Sequence, residues 1–174
     1  MKYFKQLILL SIFILNNILA LDIPINSTQK GSISEWLFMG PIEPDSDAYD
    51  LIGKIEKDPL IYFRTEPKNP VSSKIQHVKS DLLYGGQFYY QLYDKIDKGD
   101  VIFAFSYLES KNDQTVVFIN NSARGSLEVF LNGRLIKTVN NQLEDYEVKL
   151  KKGLNNVLVK INPDSYRPEF ENLF

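Results

Sequence analysis

The chain has 174 residues, of which 44% are hydrophobic and 24% charged, with a formal net charge of −2. That composition suits one globular domain and gives no overall basic footprint for nucleic acid. No cysteine is present, which excludes thiolate zinc sites, cysteine nucleophiles and disulfides.

The first twenty residues stand apart. Lys2 and Lys5 precede the apolar run Leu7 to Leu15, Asn16 and Asn17 interrupt it, and Ala20 closes the segment. This is the layout of a secretory signal peptide. The run is shorter than the roughly 20 residues a spanning helix needs. An uncleaved anchor is the alternative. After cleavage the chain is expected to be exported, to the periplasm, the cell surface or the extracellular space, with no integral membrane span.

Residues 21–33 read as a polar lead-in. "EWLFMGPI", residues 35–42, is a first strand, expected to stop at Gly40-Pro41. Prolines 44, 59, 67 and 70 argue against long helices in 43–80, and "LIYF" at 60–63 is expected as a short strand. "DVIFAFSYL", residues 100–108, is apolar on both faces. Val101, Phe103, Phe105 and Tyr107 share one face; Ile102, Ala104 and Leu108 share the other. Such a strand belongs in the middle of a sheet covered on both sides. "TVVFI" at 115–119 is expected to be similar.

"SLEVFLNGRLIKTV", residues 126–139, predicts a hairpin around Asn132-Gly133. A two-residue type I′ turn needs positive φ at both central positions, which Asn and Gly tolerate best. Its register would set Val129 opposite Ile136 and Glu128 opposite Lys137. Farther on, Tyr146, Val148 and Leu150 alternate with Glu147 and Lys149, "KKGLN" forms a turn, and Val157, Val159 and Ile161 line one face of a last strand that Pro163 ends. Eight or more short strands indicate an all-β antiparallel sandwich over 34–162, with a tail at 163–174.

"EVFLNGRLIKTV" followed by "YEVKLKKGLNNVLVKI" resembles the C-terminal half of galactose-binding-domain-like jelly rolls, modules that accompany exported bacterial glycoside hydrolases. Asn132-Gly133 matches their first turn, and Gly153 and Asn155 their second. Trp36, Gly40 and Pro41 match a Trp-x-x-x-Gly-Pro opening. The resemblance implies a non-catalytic accessory module that binds carbohydrate or a surface polymer weakly, or packs against a larger exported protein. The alternative is a structural or protein-interaction domain without a small ligand, a remnant of a larger enzyme. Here the chain stops soon after the last strand.

His77 is the lone histidine, so any triad or His-centred metal site would have to use it. No serine has a Gly-x-Ser-x-Gly setting and no Walker-type loop occurs. No catalytic residue is assigned and no cofactor is expected. Asp45, Asp47 and Asp50 in "EPDSDAYD" offer oxygen ligands for a structural Ca²⁺, although Tyr49 breaks the EF-hand pattern. The ligand-binding candidates are Tyr84, Tyr89 and Tyr90, crowded around Gly85-Gly86, and Arg124 in a predicted loop. Flat aromatic rings stack on the C–H faces of sugars, and Arg takes the hydroxyls. Ordinary packing is the competing role for the tyrosines and for Trp36. Asn26-Ser27-Thr28 and Asn120-Asn121-Ser122 match the N-glycosylation pattern.

Overall fold

The computed structural model describes residues 23–28, 33–63, 75–79, 97, 99–120, 125–140 and 144–163. The expected signal peptide and most of the tail lie outside them. Among these residues nine strands run in chain order: β1 (Ile25–Ser27), β2 (Glu35–Ile42), β3 (Ile75–Lys79), β4 (Val101–Ser110), β5 (Gln114–Asn120), β6 (Ser126–Leu131), β7 (Arg134–Asn140), β8 (Glu144–Leu150) and β9 (Gly153–Asn162). A 3₁₀ turn (Tyr49–Leu51) leads into α1 (Ile52–Lys57) and α2 (Pro59–Tyr62). Seven strands form one sheet in the order β3-β2-β4-β9-β6-β7, with β1 beside β4, while β5 and β8 pair separately. Every pairing is antiparallel except β1 with β4. The protein is an all-β sandwich.

β4 explains the layering. Its two-sided apolar sequence places it between β2 and β9, near the middle of the large sheet. Ile102, Ala104 and Leu108 join Trp36, Phe38, Leu127, Val129, Val157, Val159 and Ile161 in a core closed by Phe118, Val148 and Leu150 of the small sheet. Val101, Phe103 and Phe105 point the other way, with Leu37, Met39, Ile42, Phe130 and Leu158. Ile55 and Phe63 cover that second face from the helical segment. Both apolar faces of the central strand are thereby removed from water. Trp36 is buried in the first core, and its indole N–H donates to the carbonyl of Ile33 at 3.1 Å. It is a core anchor.

Four expectations are corrected. "LIYF" is helical, not a strand: Pro59 occupies the first turn of α2, where its fixed φ and missing N–H are tolerated. Leu60 and Phe63, three apart, then face the sheet. β2 does not stop at Gly40-Pro41 but runs through to Ile42, with a register shift after Met39. Gly40 has φ +131°, and a Cβ there would lie 2.9 Å from the carbonyl oxygen of Val101. No other residue fits that approach. β5 is apolar on one face only in its surroundings, since Val117 and Ile119 are 58% and 51% exposed while Phe118 is buried.

The hairpin is the fourth. Asn132 and Gly133 take φ +51° and +74°, as the turn requires. Leu131 faces Arg134 and Phe130 faces Leu135, but Val129 then faces Lys137, and Leu127 faces Val139. Ile136 is therefore the extra residue of a β-bulge. The bulge turns Val139 into the first core and leaves Ile136 outside. An unbroken register would have put Val139 on the other face.

β1 lies inside the expected lead-in. It pairs with Tyr107–Glu109 of β4, beyond the point where β2 leaves that edge. Asn26 makes the junction. Its Oδ1 accepts from the Ser34 N–H at 2.8 Å and the Glu35 N–H at 3.2 Å, while Nδ2 donates to the Glu35 carbonyl at 3.0 Å and the Ser106 hydroxyl oxygen at 2.7 Å. A side-chain amide thus replaces a strand's peptide group and satisfies buried backbone of β2.

Candidate functional site

The β6–β7 and β8–β9 turns, with Asn132, Gly133, Gly153 and Asn155, meet at one corner. The N–H of Asn132 donates to the Asn156 carbonyl at 2.9 Å, and Asn132 Oδ1 accepts from the Asn156 N–H at 2.9 Å. Asn132 Nδ2 donates to Asn155 Oδ1 at 3.1 Å. Asn155 is fully buried. Its Oδ1 also accepts from the Lys151 N–H at 3.0 Å, and its Nδ2 faces the carbonyls of Lys151 (2.8 Å), Gly153 (3.2 Å) and Leu108 (3.4 Å). The β6–β7 turn, the β8–β9 turn and β4 are clamped by two asparagines. Asp113 borders the corner from the β4–β5 turn, accepting from the Lys152 N–H at 2.8 Å and from Lys151 Nζ at 2.9 Å. Those two contacts hold its carboxyl below the usual value. The motif builds the fold; its polar atoms are directed at backbone and at each other.

A second polar cluster ties the helices to the large sheet. Lys160 Nζ on β9 donates to Glu56 of α1 at 2.8 Å and to Glu128 of β6 at 3.3 Å. Burial alone would lower the lysine's pKa, but the two carboxylates outweigh it and raise it above its ordinary 10.5. Stability from this cluster is therefore present below pH 10.5 and is lost as the pH climbs through the folded-state value. Lys160→Met leaves Glu56 and Glu128 facing each other. It is expected to lower stability by about 1–2 kcal/mol at pH 7, between exposed and buried pairs. Urea unfolding is the check. The variant should also lack the lysine's share of the alkaline decline.

Near the start of β8, Lys137 bonds Glu144 and lies 5.9 Å from the centroid of the Tyr146 ring. The Tyr146 hydroxyl is buried, with no hydrogen-bond partner among the described residues. Burial, then the nearby Glu144 charge, push its pKa up, so it is a neutral phenol at physiological pH.

The expected metal ligands do not converge. Asp45, Asp47 and Asp50 are all exposed, in the turns that precede α1. Among the described residues no three His, Asp or Glu side chains form a group able to hold a metal ion. His77 is half-exposed on β3 and pairs with Glu35 at 3.2 Å, beside Lys79. Tyr84, Tyr89, Tyr90 and Arg124 lie outside the described residues. Sequence reasoning missed the outer face of the small sheet. There Thr115, Val117 and Ile119 of β5 stand opposite Lys149, Glu147 and Asp145 of β8. Val116, Val117, Phe118 and Ile119 are all apolar, so the sequence carried no signal of which face is exposed.

No protein-family model matches this sequence, and no curated protein matches it. Solved structures of β-glucuronidases align with part of this chain. The enzyme from Ruminococcus gnavus in complex with D-glucuronic acid aligns over 76% of this chain and 21% of its own, at 15% identity and a TM-score of 0.46. The same enzyme with uronic deoxynojirimycin aligns over 82% and 24%, at 14% identity and a TM-score of 0.47. The Faecalibacterium prausnitzii β-glucuronidase aligns over 75% and 20%, at 14% identity and a TM-score of 0.44. The chain spans about a fifth of the length of the first of these enzymes, and no residue role is carried over from them. Among the described residues, no helix is long and apolar enough to cross a membrane.

Proposed function

We propose that this chain is an exported, non-catalytic accessory β-sandwich of the galactose-binding-like kind, which binds a carbohydrate or another surface polymer weakly. The observation that carries the reading is the use made of the polar side chains in the interior. Among the described residues the buried polar side chains are Asn26, Asp100, Ser106, Ser110 and Asn155, and each is engaged by backbone or by another side chain of the domain. The motif shared with sugar-binding modules is one of these frameworks. Ligand contact then falls to the sequence-predicted set Tyr84, Tyr89, Tyr90 and Arg124, through stacking on sugar faces and hydrogen bonds to hydroxyls.

A second reading has its own observation. Val117 and Ile119 place two exposed aliphatic side chains in line on the outer face of β5. That favours a protein partner over a sugar, because sugars are met by flat rings.

Retention on immobilised polysaccharides in affinity electrophoresis separates the two. The carbohydrate reading expects wild-type retention on at least one polymer, lost more than fivefold in Tyr89→Ala/Tyr90→Ala and unchanged in Val117→Lys. Absence of retention on every polymer, together with a partner complex that Val117→Lys disrupts, would overturn it in favour of the second.

A further inference from the structure

The pattern Asn26-Ser27-Thr28 marks an acceptor for asparagine-linked glycosylation, and its ordinary place is a surface loop of an exported protein. Here the acceptor lies in β1 and is 4% exposed. Nδ2 is the atom that would carry the sugar. It donates to the Glu35 carbonyl at 3.0 Å and to the Ser106 hydroxyl oxygen at 2.7 Å. Ser106 is itself fully buried, and its hydroxyl donates onward to backbone carbonyls, with Glu35 O at 2.9 Å.

Transfer from a lipid diphosphate carrier would form a bond between Nδ2 and the anomeric carbon of the sugar. It would break that carbon's bond to the carrier's phosphate oxygen. One Nδ2 proton would leave with the departing diphosphate. The remaining amide has a single N–H for two acceptors, so one of the two buried hydrogen bonds is lost. The sugar ring would also have to occupy space now filled by β2 and β4 within hydrogen-bond distance. A close-packed interior has no room for it.

We propose that glycosylation at Asn26 and folding are mutually exclusive. The acceptor pattern is open only in the unfolded chain, and the folded domain is built only from chains in which Asn26 is unmodified. In a secretory route that attaches such glycans, every chain modified at Asn26 is lost from the folded pool. The inference stands on the β1–β2–β4 junction and does not depend on which ligand the module binds.

The test uses the full chain assembled by peptide ligation with a single N-acetylglucosamine on Asn26. A second chain carries the same sugar on Asn112, which is exposed. Both are refolded beside the unmodified chain and followed by near-UV circular dichroism through urea unfolding. The Asn112-modified chain is expected to unfold with the unmodified one. The Asn26-modified chain is expected to show no cooperative transition and at least a tenfold smaller folded fraction. A cooperative transition at the unmodified midpoint with the sugar on Asn26 overturns the proposal. Failure of both modified chains to fold overturns it as well, since the effect would then belong to the sugar and not to the site.

Discussion

Replacing Phe105 by alanine is expected to lower stability by about 3–5 kcal/mol, the usual cost of removing a buried phenylalanine. Phe105 is fully buried on β4, in the central region of the large sheet. Its ring stacks on Phe63 at 5.0 Å and meets Tyr107 edge-on at 5.6 Å. The substitution opens a cavity and also takes away the platform on which the helical layer rests. Two readouts follow. The urea midpoint should fall with little change in slope. Amide exchange in α1 and α2 should quicken more than in β6 and β9, because the helical layer loses its contact directly. A loss below 1 kcal/mol would mean that the helices do not depend on this face.

The second large effect is expected at Asn155. Asn155→Ala removes an acceptor used by the Lys151 N–H and by Asn132 Nδ2, and a donor shared among three carbonyls. Backbone groups of Lys151, Gly153 and Leu108 lose a side-chain partner, and each such loss costs about 1–3 kcal/mol where the group is buried. Partial relaxation of the exposed turn limits the total, so about 3 kcal/mol is expected, read as a shift in urea midpoint. Asn155→Asp gives a sharper result. It keeps Oδ1 as an acceptor but directs a carboxylate oxygen at the carbonyls. Its folded-state pKa must then lie above its unfolded value of about 3.9. A raised carboxyl pKa means that the folded state binds the proton more tightly. The variant's deficit should therefore be full at neutral pH and shrink as the pH falls through the folded-state pKa. The alanine variant should show no such recovery.

These effects show which parts of the molecule were legible in the sequence. The two faces of β4 could be assigned residue by residue, because alternation in a strand is geometry and burial on both sides follows from two apolar sets. The type I′ turn was legible because only Asn and Gly occupy positive φ easily. The inward faces of β8 and β9 followed from the same alternation. The bulge at Ile136 was not legible. Ile136 and Val139 are both good core residues, and the choice between them is made by the sheet they meet. α2 was misread because a four-residue apolar run has no period, and only Phe63 meeting Phe105 decides its form. β1 was missed for a related reason. Its one indispensable residue, Asn26, is polar, and its partners Ser106 and Glu35 are distant or nearby in sequence without any pattern that links them.

The candidate site was less legible than the fold. The acidic run suggested ligands, but Asp45, Asp47 and Asp50 stand exposed in successive turns and do not converge. A cluster in sequence becomes a site only if the backbone folds the side chains inward. The outer face of β5 was hidden by its own composition, since valine and isoleucine favour strands whether or not they are covered. The tyrosines near Gly85 remain the ligand candidates on sequence grounds.

The central structural claim is that the Asn132 and Asn155 side chains form a clamp between two turns. A double-mutant cycle on Asn132→Ala and Asn155→Ala tests it most directly, with stability measured by urea unfolding. The clamp predicts a coupling of about 1 kcal/mol or more, because Asn132 Nδ2 donates to Asn155 Oδ1 and either single substitution already removes that bond. Single-variant losses that add within about 0.3 kcal/mol would contradict it.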